Sequence, residues 1–147
     1  MPAPIHTSRL LLRKFLPTEA QLVWELNRLP EITRYVHEAR ISTLEQAEEI
    51  LQQIILPQYQ IQLGRLAVFI KATGHFAGWC GLKKFPDSTA IDLGYRYMPQ
   101  YWGKGYAAEA AAAILEYGFK HLQLPAIHAK VHPENLASEE VLQKIDM

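Results

Sequence analysis

The chain has 147 residues, of which 49% are apolar and 20% charged, and its 15 Lys and Arg balance its 15 Asp and Glu. That is the size and make-up of one soluble globular domain, and zero net charge argues against a broad nucleic-acid surface resting on many phosphate contacts, while leaving room for a small basic pocket. A lone cysteine, Cys80, permits neither an intrachain disulfide nor a four-cysteine zinc site; no apolar run approaches a membrane span; and "MPAPIHTSRLLLRKF" has no charged leader before a long apolar stretch, so cytoplasm is the expected location.

In chain order, "RLLLRKF" (9–15) predicts a first strand and "PTEAQLVWELN" (17–27) a helix with Pro17 in its first turn. "STLEQAEEILQQIIL" (42–56) predicts a second helix, opened by a Ser42–Glu45 capping box and stopped by Pro57. Its Leu44, Ala47, Leu51 and Ile54 form one apolar stripe. Three strands follow over 65–72, 75–85 and 90–98, joined by "ATGH" and "PDST", connections short enough to require antiparallel hairpins. After a glycine loop come a long helix (106–122), a strand (126–132) and a last helix (135–145). The sum is one α+β domain over 1–147, with a mainly antiparallel sheet and a β-loop-α-β segment near its C-terminal end.

The loop "QYWGKGYAAEA" (100–110) carries the chemistry. A helix starting near Tyr106 leaves its first N–H groups without intrahelical partners and has the positive end of its macrodipole there. Gly103 and Gly105 let the backbone turn tightly with no Cβ in a ligand's way, and Lys104 adds a positive charge. The alanine-rich helix, with Ala107, Ala111, Ile114 and Gly118 on one face, lies close to the sheet. Together these make a phosphate cradle; the alternative is a simple turn between strand and helix. The spacing also fits G-x-G-x-x-A at 103, 105 and 108, but the acid expected about 20 positions later is missing, and hairpins precede the loop. No P-loop motif is present.

Gln100, Gly103 and Gly105 reproduce the Q/R-x-x-G-x-G/A loop of the GNAT N-acetyltransferase superfamily. The resemblance extends through "IDLGYRYMPQYWGKGYAAEA" and "VHPENLASEEVLQKIDM" to cover nearly the whole chain, and the opening "TSRLLLRKF…PTEAQLV" resembles the start of the RimJ/RimL-like branch. The resemblance implies acetyl-CoA as cosubstrate, with its pyrophosphate on the amides of about Trp102 to Tyr106. Gln100, Tyr101, Gly103, Lys104 and Gly105 complete that cofactor loop. It further implies direct transfer to an amine, with backbone N–H groups near Tyr97 and Met98 stabilising the oxyanion. No Cys or Ser nucleophile stands at a recognisable spacing from a histidine, so no acyl-enzyme is expected.

Asp92 shares a strand face with Gly94 and Arg96. It is either a proton acceptor working through water in the space above Gly94, or a surface partner of Arg96; an acid here often serves as base in the resembled family. Asn135 suits an N-cap, and Ser138 lies on the inward stripe with Val141, Leu142 and Ile145. A carbonyl back-bond explains that serine; the resemblance instead turns the Asn135–Ser138 pair toward the pantetheine and sulfur. Leu142 stands where many GNAT enzymes have a thiolate-protonating tyrosine, so that role falls to Ser138, to water or to nothing. His128 and His132 lie ~13 Å apart along one strand, too far to share a metal, so no metal site is expected. Tyr95, Tyr97, Tyr101 and Trp102 suit core and rim.

The weak acid–base set favours an α-amine over a lysine as acceptor, a small-molecule amine being the other class. A non-catalytic acyl-CoA-binding module and a dinucleotide-dependent oxidoreductase are the rival readings. In the resembled family two further strands follow the last helix. Here "KIDM" ends at Met147, which implies a truncated chain or a strand lent by a partner, a homodimer included.

Overall fold

Leu10 to Arg13 alternate between buried and half-buried, the period of two of a strand with one covered face. In the computed structural model, which describes residues 4–28, 43–84 and 90–128, this segment is β2 (Leu10–Arg13). It pairs with a two-residue β1 (Ile5–His6) on one side and with β3 (Gly64–Ile70) on the other. β4 (Phe76–Lys84) and β5 (Ile91–Tyr97) complete a five-stranded sheet in the order β1-β2-β3-β4-β5, every neighbouring pair antiparallel. The four expected strands among these are present, with ends within about two residues of the sequence reading. The β3–β4 hairpin closes through Ile70 N–H to His75 O at 2.9 Å, with Gly74 at φ 75°. The "PDST" connection lies outside the described residues.

The first helix starts later than expected. α1 spans Ala20–Asn27, because residues 16–19 form a separate turn: Glu19 N–H bonds Leu16 O at 3.0 Å and Leu16 N–H returns to the Glu19 carboxylate at 2.7 Å. α2 spans Leu44–Ile50, and its capping box is Thr43 with Gln46, one residue on from the expected pair; Ser42 lies outside the described residues. Pro57 does not stop this helix. Leu51–Ile55 widens into a π turn, the Leu56 N–H reaching back to Leu51 O, and the chain continues as α3 (Leu56–Tyr59) with Pro57 near its start. An α-helical register would set the proline ring against the carbonyl four residues back; the wider turn removes that clash. It also shifts the stripe: Ala47, Leu51, Ile55 and Tyr59 are buried, whereas Leu44 and Ile54 are exposed.

Paired strand positions share a face, so Val68, Cys80, Leu82, Leu93 and Tyr97 lie on one side and Arg65, Ala67, Trp79, Asp92 and Arg96 on the other. α4 (Tyr106–Glu116) covers the first side with Ala110, Ala111 and Ile114 fully buried, then continues as a second π turn over Tyr117–His121. Gly118 lets it lie close, since a Cβ there would sit 2.7 Å from Ile127 and 3.1 Å from Leu82. The small-residue face read from the sequence is thus the packing face. On the other side Phe15 stacks edge-on against Trp79, and buried Asn27 of α1 receives a hydrogen bond from Arg96. After α4 the chain returns to the outer edge of β5, where His128 forms a parallel bridge with Asp92, as the expected β-loop-α-β segment requires.

Candidate active site

At the end of β5 the chain turns through a short 3-10 turn (Pro99–Tyr101) into the glycine loop. Gly103 and Gly105 have φ of 75° and 82°, the left-handed region that side chains with a Cβ avoid. Gly105 is the cap residue of α4 and offers no side-chain bond to it. Glu109 is the first residue whose amide finds a helical carbonyl, Gly105 O at 3.1 Å. The amides of residues 103–108 make no backbone hydrogen bond among the described residues. They lie at the positive end of an 11-residue helix whose inward face is locked in the core. Nothing lies within 4 Å of a Cβ built on Gly103, and Gln100, Trp102, Gly103, Lys104 and Gly105 are exposed. An open row of unused donors beside a helix N-terminus fits a phosphate-bearing group.

Two aromatic residues shape the rim. Trp102 is half exposed, and its indole N–H donates to Tyr97 O at 2.7 Å, tying the loop back to the strand end. Tyr101 meets Tyr106 with ring centroids 6.2 Å apart. Tyr97 is buried. Burial holds its phenol well above the ordinary value and pushes the Cys80 thiol up to about 12. Neither group is then a proton donor or nucleophile suited to neutral pH.

Ladder geometry separates the two amides expected to meet an oxyanion. Met98 N–H donates to Ala77 O at 2.9 Å, so it is committed to β4, and that expectation is corrected. The same alternation turns the Tyr97 N–H away from β4, toward the outer edge of β5. On that edge Leu93 N–H bonds His128 O at 2.7 Å and His128 N–H bonds Ile91 O at 2.8 Å. Past this pairing, the Tyr97 N–H finds no carbonyl among the described residues.

Asp92 shares its strand face with Gly94 and Arg96, as alternation predicted, and that face is the one opposite α4. The space above Gly94 is not open, however: the Arg65 guanidinium lies across it, 2.4 Å from where a Cβ would stand. Arg65 also donates to Gly81 O at 2.8 Å and pairs with the Asp92 carboxylate at 3.7 Å, both side chains 15% exposed. Arg96, the other cation on this face, reaches Asn27 and stacks over Trp79 at 5.0 Å. The Arg65–Asp92 pair ties β3 to β5 across this face. His128, its bridge partner, is exposed on the same edge.

Asn135, Ser138 and Leu142 lie outside the described residues, as does His132. Among the described residues no cluster of His, Cys, Asp and Glu could hold a metal, and no helix is long and apolar enough to cross a membrane. A shallow apolar recess lined by Leu63, Leu66, Leu82, Ile114 and Tyr117 faces the second half of α4, roughly 12 Å along the axis from its N-terminus, and has no part in the loop.

Residues 9–147 match the family model of the acetyltransferase (GNAT) domain. The chain belongs to the GNAT acetyltransferase family. An N-acetyltransferase of Bacillus licheniformis, p20, is 32% identical over 142 residues, which cover 96% of this chain and 80% of the relative. The crystal structure of a GNAT-family acetyltransferase from Bacillus anthracis is 30% identical and superposes with a TM-score of 0.84 over 99% of this chain and 83% of its own. Spermidine N-acetyltransferase from Vibrio cholerae, solved with CoA and spermine, shares the fold at 21% identity, with a TM-score of 0.79 over 95% of this chain and 80% of its own. This GNAT protein is therefore an N-acetyltransferase, and its family uses acetyl-CoA. Nothing in these likenesses supports an oxidoreductase or a non-catalytic module.

Sequence reasoning did not foresee three side chains of this N-acetyltransferase. Arg65 came as one polar residue in a strand pattern. Arg9 and Thr7 bond the α4 carboxylate of Glu109 from across about 100 positions of chain.

Proposed function

We propose that this GNAT enzyme transfers the acetyl group of acetyl-CoA directly to a primary amine, with the 100–105 loop and the start of α4 holding the cofactor's pyrophosphate. The observation that carries this reading is the row of amides at residues 103–108 that make no backbone hydrogen bond among the described residues, opened by two left-handed glycines. Acetyl-CoA supplies an activated acyl group as a thioester. Gln100, Tyr101, Trp102, Lys104 and Tyr106 border the loop, and the outward Tyr97 N–H would receive negative charge on an acyl oxygen. Asn135 and Ser138 would face the sulfur end, in keeping with the resemblance.

Asp92, fixed by Arg65 on the face opposite α4, would draw the ammonium proton through water. The acceptor is either a protein α-amine, as suits the RimJ/RimL-like branch that the first strand resembles, or a small-molecule amine. An α-amine has a pKa near ~8 and a lysine near ~10.4, so the weak acid–base set of this chain suits the former. The protein is proposed to work in the cytoplasm.

Mass spectrometry of an amine and peptide panel incubated with acetyl-CoA tests the reading, alongside melting curves. Cofactor at 100 times its Kd should stabilise the fold by about 2.7 kcal/mol; melting unchanged by CoA but raised by NADH would sink it. Asp92→Asn should lower turnover about 10²-fold at neutral pH with CoA affinity intact, and the loss should shrink at higher pH as the amine deprotonates unaided. A wild-type rate at every pH would remove Asp92 from the chemistry.

A further inference from the structure

The cofactor loop is held by a residue at the far end of the sequence. Arg9 precedes β2, and its main chain is fixed on both sides: its N–H donates to Glu109 Oε2 at 2.9 Å and its carbonyl accepts from Lys71 N–H at 2.9 Å. From that root the guanidinium makes three contacts. Nε donates to Glu109 Oε1 at 2.7 Å, Nη1 donates to Lys104 O at 3.0 Å, and the plane stacks over the Tyr106 ring at 4.5 Å. Nη2 faces Gly105, where a Cβ would lie 3.3 Å away. Thr7 adds a hydroxyl donor to Glu109 Oε2 at 2.5 Å.

Two consequences follow from elementary geometry and charge. In a planar trans peptide the C=O of one residue and the N–H of the next point in opposite directions. By holding Lys104 O, Arg9 therefore aims the Gly105 N–H away from itself, and two left-handed glycines leave that peptide otherwise free to rotate. The second consequence concerns Glu109, the acidic residue in the first turn of α4. Its carboxylate suits the helix dipole but would repel a pyrophosphate a few ångströms away. Arg9 cancels that charge and, with Thr7, draws it toward β1 and β2.

We propose that Arg9 is a positioning residue for the cofactor: it orients the 104–105 peptide and neutralises Glu109, so that the loop presents donors to a diphosphate. This inference rests on the reading of the loop as the acetyl-CoA site. It separates binding from chemistry, because Arg9 touches neither the strand edge at Tyr97 nor the Asp92 face.

The test is steady-state kinetics with calorimetric titration of CoA on four variants of the full chain. Arg9→Ala should raise the KM for acetyl-CoA and the Kd for CoA by about tenfold or more, with kcat at saturation and the KM for the amine within twofold of wild type. Arg9→Lys keeps the charge but lacks the fork that reaches Glu109 and Lys104 together, so it should recover less than half of the lost affinity on a logarithmic scale. Arg9→Ala with Glu109→Gln removes the unmasked carboxylate and should bind CoA more tightly than Arg9→Ala alone, because the charge that Arg9 masks is then gone. Gly105→Val is the control for the site itself and should abolish CoA binding. If Gly105→Val loses CoA while Arg9→Ala melts lower yet saturates at wild-type concentrations, Arg9 is only a brace and the inference fails. If Gly105→Val also binds CoA normally, the loop is not the cofactor site, and the proposed function fails with it.

Discussion

Two arginines four positions apart do chemically similar things at the two ends of β2. Arg9 bonds Glu109 at 2.7 Å and stacks on Tyr106; Arg13 bonds Glu19 at 2.8 and 2.9 Å and stacks on Phe69, both rings 4.5 Å away. They differ in reach. Arg13 and Glu19 are 6 residues apart and close the turn between β2 and α1, whereas Arg9 and Glu109 are 100 apart and join the first hairpin to the proposed cofactor helix. Similar pairs can thus serve folding at one end of a strand and ligand geometry at the other. What distinguishes them is what the carboxylate's neighbours do: Leu16 N–H at Glu19 belongs to a turn, while the amides of residues 103–108, just before Glu109, make no backbone hydrogen bond among the described residues.

The largest stability effect should come from the local pair. Glu19→Ala removes the acceptor of two guanidinium bonds and of Leu16 N–H, leaving a partly buried Arg13 without its anion. Charge-assisted bonds of this kind are worth roughly 1–3 kcal/mol, so Tm should fall by several degrees. CoA affinity should stay within twofold of wild type. A Glu19→Ala protein with weakened CoA binding would break the comparison, because the local pair would then also support the loop.

The long-range pair should show itself in pH. Burial alone would raise the Glu109 carboxyl, but the bonds from Thr7 and Arg9 outweigh it and hold the group below the ordinary carboxylate value. A depressed folded value means that Glu109 contributes stability above the pKa it has when unfolded, and that this contribution is lost as pH falls through the folded value. Glu109→Gln has no such titration. The wild type should therefore melt higher than Glu109→Gln by about the same margin between pH 7 and 5.5, and the margin should shrink below the usual carboxylate range. A margin independent of pH would show that hydrogen bonding, and not charge, joins the hairpin to the helix.

How much of this was legible depends on how far apart the cooperating residues lie. The four main strands, the hairpin order and the packing face of α4 came from local periodicity and turn residues, and the glycine pair marked the loop because left-handed backbone is a local demand. Pro57 misled, since a π turn that makes room for a proline ring has no signature in composition. Ladder parity decided which way Tyr97 and Met98 turn their amides, and parity depends on the partner strand. The occupant of the space above Gly94 is Arg65, two strands away, and the partner of Glu109 is 100 residues away. Such pairings leave no period in one sequence. Asn135 and Ser138 rest on resemblance alone.

The smallest effect should belong to the most conspicuous residue of the motif. Lys104 stands between the two glycines, yet the part of it that the fold uses is its carbonyl, held by Arg9, while the residue itself is exposed. Lys104→Ala keeps that carbonyl and removes only a solvated charge. An exposed charge near an anion contributes up to about 1 kcal/mol, so CoA should bind up to about fivefold more weakly. That loss should fade at high salt, where surface charges are screened. The loss from Arg9→Ala should persist there, because a misdirected peptide N–H is not restored by ions. Titrations of CoA against both variants at low and high salt make the contrast measurable. If Lys104→Ala costs more than Arg9→Ala, and both losses vanish with salt, the loop attracts its ligand by charge alone, and the geometric role given to Arg9 is wrong.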